Sequence, residues 1–191
     1  SHSFLQSVFE VYEEHFLDTE TEECMIQEDI MSEAEREEFL GRFEGNRNCE
    51  LGDVIHMDIE VEEEKSLLGF CVMGGIFSEG IDLKNDSLIG AIIVGTGLPQ
   101  VCNEREILKC YFDAAGKNGF DYAYRYPGMN KVLQAAGRVI RTAEDVGIVA
   151  LLDDRFLNGA YQQLFPREWE EYEVVTADRV ARRVERFWDE W

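Results

Sequence analysis

The chain has 191 residues, a net charge of −22, and a composition that is 45% hydrophobic and 30% charged. Twelve Phe, seven Tyr and three Trp are enough to build a core, which excludes a chain that stays mostly disordered. Only three Pro are present, so a proline-rich stalk is excluded, and no apolar run nears the ~18 residues that a membrane-spanning helix requires. No secretory pattern opens the sequence, and its five cysteines (Cys24, Cys49, Cys71, Cys102, Cys110) form no Cys-x-x-Cys pair. The expectation is a soluble, cytoplasmic domain with free, buried thiols, no metal site and no membrane partner.

Charge is unevenly spread. Residues 1–65 carry −17 and residues 66–191 carry −5, whereas the window 105–141 is +4. Its bases are Arg105, Lys109, Lys117, Arg125, Lys131, Arg138 and Arg141. Strong overall acidity disfavours a polyanionic partner, but a basic window leaves room for a local anion site.

Ser3 and Gln6 have the spacing of a capping box, and Phe4, Val8, Val11, Tyr12 and Phe16 follow with helical period. Cys24-Met25-Ile26 reads as a short strand. Ser32 and Glu35 form a second capping box, opening a helix that turns Phe39, Leu40 and Phe43 inward. Between Gly45 and Lys65, Ile55, Met57, Ile59 and Val61 alternate with polar residues, which predicts an inserted acidic ribbon over 45–65. Leu67–Met73, Ala91–Val94 and Ile148–Leu152 are continuous apolar runs, as central parallel strands covered on both faces require. One predicted helix begins at Asn103, with Ile107, Leu108, Tyr111 and Phe112 inward, and stops at Gly116. Another begins near Pro127 and carries Val132, Leu133, Ala136, Val139 and Ile140. Val180, Val184, Phe187 and Trp191 make one stripe of a C-terminal docking helix over 176–191. Strand and helix alternate without a repeat or a domain boundary, so one α/β domain with an open, mainly parallel sheet is expected over 1–191.

Two segments carry possible chemistry. Gly74, Gly75 and Gly80 follow an apolar strand in the run Gly74-Gly75-Ile76-Phe77-Ser78-Glu79-Gly80-Ile81-Asp82-Leu83, a loop able to present N–H groups to an anion. In Gln134-Ala135-Ala136-Gly137-Arg138-Val139-Ile140-Arg141, two arginines stand three apart on a predicted helix. Their forks suit phosphate oxygens.

In this order and spacing, the two segments resemble motifs V and VI of the second motor domain of superfamily 2 helicases, in the XPD/DinG-like branch. The likeness continues through Thr142, Asp145, Gly147 and Leu151-Leu152-Asp153-Asp154-Arg155-Phe156, and Ser1–Leu5 is similar to the tail of motif IV. It covers roughly residues 1–175 and implies a RecA-like fold with helices on both faces of the sheet. It further implies an ATP-dependent DNA helicase of the DNA-repair type. Arg138 and Arg141 would then be arginine fingers for ATP and Mg²⁺ held by the N-terminal motor domain of the same polypeptide. Gln134 and Gly137 would lie at that cleft, with Glu79, Gly80 and Asp82 linking it to the nucleic-acid track. Ser3, Gly74, Gly75 and Ser78 would lie near the phosphates of single-stranded DNA.

The chain contains no Gly-x-x-x-x-Gly-Lys-Ser/Thr, and so it is expected to be inactive alone. Two other readings compete. One is a non-catalytic acidic α/β module that binds a basic protein. The other is a free-standing enzyme built on Asp82, Asp153 and Asp154, which lacks a nearby His or metal-ligand cluster.

Overall fold

The computed structural model describes residues 1–44, 65–75 and 88–191. The predicted ribbon, apart from Lys65, lies outside the described residues, as do Ser78, Glu79, Gly80 and Asp82. The chain divides into two compact units, 1–87 and 88–191.

In the first unit, α1 (His2–His15) precedes β1 (Glu22–Ile26), α2 (Glu33–Glu44) and β2 (Ser66–Phe70). β1 and β2 run parallel, from Glu22 opposite Ser66 to Ile26 opposite Phe70, with α2 in the crossover that a parallel pair requires. α1 begins two residues earlier than the capping pattern predicts: Ser1 is the N-cap, and Ser3 sits inside the helix, its carbonyl accepting from the Ser7 hydroxyl. The packed stripe also differs from the expected one. Phe9 meets Phe70 edge-on at 5.2 Å between centroids, and the Tyr12 hydroxyl donates to Glu22 at 2.7 Å, while Phe4 is 56% exposed. Tyr12 of the expected stripe does reach Phe70 on β2, and Phe9, outside that stripe, packs beside it in place of Phe4. The Glu22 carboxylate pushes the Tyr12 phenol up to about 12 by accepting its proton. On α2 the predicted capping box forms reciprocally: Ser32 N–H donates to Glu35 at 2.6 Å, and Glu35 N–H donates to the Ser32 hydroxyl at 3.3 Å. Phe39 is buried, and the missing side chain of Gly69 on β2 leaves the space that Phe43 fills.

In the second unit, β3 (Gly90–Val94) and β4 (Ile148–Leu152) pair in parallel, Gly90 opposite Ile148 and Val94 opposite Leu152. Between them lie α3 (Asn103–Ala114), a π-helical turn (Asp121–Arg125) and α4 (Tyr126–Ala136). The alternation of parallel strand and helix is that of a RecA-like α/β domain. α4 packs on β3 and contributes Met129, Val132 and Ala136 to the core, with Met129 1% and Val132 0% exposed. Gly128 makes the approach possible, because a Cβ there would stand 2.6 Å from the Thr96 carbonyl oxygen. Taken by itself, this unit covers one face of its sheet: Ile93 is buried, whereas Ile92, Val94 and Leu152 are exposed.

The π-helical turn has an identifiable cause. Pro127 has no N–H to return to the carbonyl of Ala123, four residues earlier, and the Tyr126 N–H reaches back five residues to Asp121. Arg105 on α3 supplies the missing donor, its Nη1 standing 2.7 Å from the Ala123 oxygen. Tyr124 donates to Glu106 at 2.5 Å, and Phe112 stacks on Tyr122 at 4.0 Å, fastening α3 along the turn. Ile107 and Tyr111, expected to face inward, are exposed, because the turn packs on the neighbouring side of α3. Cys102 and Cys110 are also exposed, unlike the half-buried Cys71, whose thiol desolvation pushes up to about 12.

Beyond β4, a 3₁₀ turn (Asp154–Leu157) and α5 (Gly159–Gln162) gather Phe156, Tyr161 and Phe165. The predicted C-terminal helix forms as α6 (Ala177–Glu190), tied to the preceding segment by Arg183 and Glu173; none of its residues is buried.

Arg105→Met keeps the aliphatic stem but leaves the buried Ala123 carbonyl without its donor. Urea unfolding is expected to report a loss of ~1–3 kcal/mol, against less than ~0.5 kcal/mol for a surface control such as Lys117→Met.

Candidate functional site

At the carboxyl ends of β1 and β2, the expected strand-contacting residues converge on a side chain that their motifs do not contain. The polypeptide leaves β1 at Ile26 and places Gln27 with its backbone N–H donating to the Phe70 carbonyl at 2.8 Å. Its side chain turns beneath the segment that follows β2, and Oε1 accepts the Val72 N–H at 3.0 Å. Gly74 then adopts φ +84°, a conformation that favours glycine, and Gly75 N–H closes the turn on the Val72 carbonyl at 3.0 Å. Gly75 is glycine for a different reason: a Cβ there would stand 3.0 Å from Gln27 Nε2 and 3.1 Å from the Val72 oxygen. Gln27 also lines a cavity of ≈ 470 Å³ together with His2, Ser3 and Gln6 of α1 and Glu28 and Asp29. Ser3 and Gln27 therefore line one cavity in the first unit, and Gly75 packs on the Gln27 amide. The imidazole of His2 lies 3.3 Å from the Asp29 carboxylate.

The second locus is the exit of α4. Arg138 and Arg141 do not share a helix, contrary to the spacing argument. α4 ends at Ala136, and Gly137 serves as its C-cap. The backbone then tightens: Arg138 N–H donates to the Ala135 carbonyl at 3.2 Å and Val139 N–H to that of Ala136 at 3.1 Å. Asp145 completes the stop, because its Oδ2 accepts both the Arg141 N–H at 2.8 Å and the Thr142 N–H at 2.7 Å. Those two N–H donors, from the backbone first, hold its carboxyl below the usual range. Between the arginines, Val139 is 3% exposed, while Arg138 and Arg141 themselves are half-buried. Gln134 and Gly137 are exposed beside them. Gly147 packs its backbone against Val139 and Ile89, so this corner closes where β4 begins.

Asp153 is not free for acid–base work. Arg155 grips it with Nε at 2.8 Å and Nη2 at 2.6 Å, and its own backbone N–H also reaches Asp153 at 2.9 Å. Its carboxyl is held down, chiefly by the Arg155 side chain. No helix among the described residues is long and apolar enough to cross a membrane.

Sequence reasoning missed Gln27. The available signal was a polar residue directly after a short apolar strand, five residues before a predicted capping box, in a segment otherwise dominated by carboxylates.

Parallel strands alternating with helices make this a RecA-like α/β chain. The helicase C-terminal domain family matches residues 1–172, and the chain belongs to that family, in its XPD/DinG-like branch. Among similar proteins, the ATP-dependent DNA helicase DinG of Photobacterium profundum is 37% identical over 89 residues, covering 46% of this chain and 13% of its own. The regulator of telomere elongation helicase 1 homolog of Caenorhabditis elegans is 30% identical over 142 residues, covering 68% of this chain and 14% of its own. A probable ATP-dependent helicase of Methanocaldococcus jannaschii is 25% identical over 137 residues, covering 66% and 21%. The chain thus spans between about an eighth and a fifth of the length of these relatives.

A pH prediction follows from Asp153. A carboxyl lowered in the fold contributes stability that is fully present above its unfolded value, ~3.9, and is lost as pH falls through the folded value. Asp153→Asn retains the oxygen that accepts the Arg155 N–H but removes the charge. The stability gap between wild type and variant, read by urea unfolding, is expected to be constant above about pH 5 and to close below about pH 4.

Proposed function

We propose that this chain is the second motor domain of an ATP-dependent DNA helicase, and that Arg138 and Arg141 act on ATP and Mg²⁺ held by a partner motor domain. Family membership supports the class, and the α4 exit supports the role: two guanidinium side chains leave a backbone corner pinned by buried Val139 and clamped by Asp145. Such a corner holds cations in fixed positions at low entropic cost, which is what stabilising charge on a transferring phosphoryl group requires. The residues fit one side of a triphosphate and not the other. Guanidiniums are present to neutralise terminal phosphate oxygens, whereas the sequence contains no glycine-rich cradle ending in Gly-Lys-Ser/Thr.

ATP supplies the phosphoryl group whose transfer releases the energy of each step. On this chain, Arg138 and Arg141 donate to oxygens that gain charge as the terminal group leaves. Gln134, on the last turn of α4, borders the same cleft with Gly137, and Glu79, Gly80 and Asp82 relay its state towards the strand. Ser3, Gly74, Gly75 and Ser78 contact single-stranded DNA. Because the fingers come from a second domain, turnover depends on closure, and closure shifts the strand. The 191-residue chain alone neither hydrolyses ATP nor unwinds DNA.

In the full-length helicase, Arg138→Ala and Arg141→Ala are each expected to lower ATPase kcat by ~10³–10⁵-fold while leaving nucleotide affinity within about threefold. Steady-state kinetics and nucleotide titration measure the two separately. Weakened nucleotide binding with kcat unchanged would overturn the assignment.

A further inference from the structure

We infer that the cavity at the carboxyl end of β1 receives a nucleobase of the bound single strand, and that Gln27 hydrogen-bonds the edge of that base. The inference rests on the single-strand reading proposed above and goes beyond it in naming the chemical group and the residue.

The first reason is an unmet donor. Gln27 is only 7% exposed, yet its amide uses one end alone: Oε1 takes the Val72 N–H at 3.0 Å. That bond fixes the orientation of the amide, so Nε2 is the end left over, with no acceptor among the described residues. Nε2 lacks a protein acceptor but is not sealed from solvent, so water serves it in the empty site and a ligand carrying an acceptor takes that water's place.

The second reason is size and shape. The cavity, ≈ 470 Å³, lies within the ~300–1,000 Å³ range of small-ligand sites and offers both an apolar side, Ile26, and polar groups on Ser3 and His2.

Charge decides which part of a nucleotide enters. Glu28 and Asp29 line the cavity with no Lys or Arg among its lining residues, and Asp29 already faces His2 at 3.3 Å. A phosphate would meet carboxylates without a counter-cation. A base is uncharged, presents ring-nitrogen and carbonyl acceptors to Nε2, and has a flat face for the apolar side. The phosphates therefore stay outside the cavity.

Fluorescence anisotropy with the full-length helicase tests this on two strands of equal length and phosphate count, oligothymidylate and a wholly abasic strand. Gln27→Met is expected to weaken oligothymidylate binding ~3–10-fold, the worth of a neutral hydrogen bond, with no change on the abasic strand. The slope of log K against log salt should stay that of wild type, because no phosphate contact is removed. Gln27→Glu keeps an oxygen for the Val72 N–H while removing the donor; its added charge repels phosphate on both strands alike, so the oligothymidylate loss should still exceed the abasic loss by ~3–10-fold even if the methionine variant loosens the Gly74–Gly75 turn. Equal losses on both strands, or oligothymidylate affinity unchanged in both variants, would overturn the inference and leave the single-strand reading intact. If wild type binds neither strand, that reading falls, and this one with it.

Discussion

The position of α4 depends on a column of side chains sealed from water, Met129, Val132, Ala136 and Val139. Close-packed residues of this kind have few alternative arrangements, so they set both the register of the helix on β3 and the point where it must stop. Val139 is part of the column although it lies beyond the helix. The backbone must therefore leave helical geometry at Gly137 and still return a side chain to the core two residues later. The Arg138–Arg141 corner follows from that demand, and Asp145 fixes it by taking two consecutive N–H groups that α4 no longer uses. The start of the same helix is set as firmly, where Pro127 breaks the ladder and Arg105 repairs it. A single rigid rod thus has both ends specified by polar contacts and its middle by apolar ones.

The first unit meets a different electrostatic problem. Residues 1–65 carry −17, which is unfavourable ground for a polyanion. At the carboxyl end of β1 the cavity lining holds an amide and no lysine or arginine, beside a glycine turn. In the single-strand reading proposed above, contacts of that type release few counterions, so they add affinity with little dependence on salt. In that reading they also discriminate by charge, since carboxylates beside the amide repel phosphate while leaving an uncharged ring unaffected.

Much of this architecture was legible in the sequence, and the failures share a cause. Strands at Cys24–Ile26, Ala91–Val94 and Ile148–Leu152 declared themselves as apolar runs, and Ser32 with Glu35 gave a capping box that forms as written. Periodicity found Tyr12 on α1 but could not choose between Phe4 and Phe9 as its packed neighbour, because the two are equally hydrophobic; only Phe70, far along the chain, decides between them. It likewise carried the helix through Val139, since a buried residue at helical spacing looks the same whether the backbone is helical or turned. Gln27 was silent for a related reason. Its importance comes from Val72 and Gly75, neighbours brought to it by β1–β2 pairing and by no local pattern.

Placing Arg138 and Arg141 on a corner and not on one helix changes what can tune them. On a helix face, two residues three apart move as a unit, and their spacing is fixed by the helical pitch. Here they flank a buried valine, and the second is held through its backbone by a carboxylate four residues further along. Arg138 is therefore governed by the end of α4 and Arg141 by the Asp145 clamp, two supports with different chemistry. The clamp is ionic at neutral pH, for the two N–H donors keep Asp145 deprotonated well into acid. An arginine pair built this way combines the stiffness of a packed helix with a polar latch on a short loop.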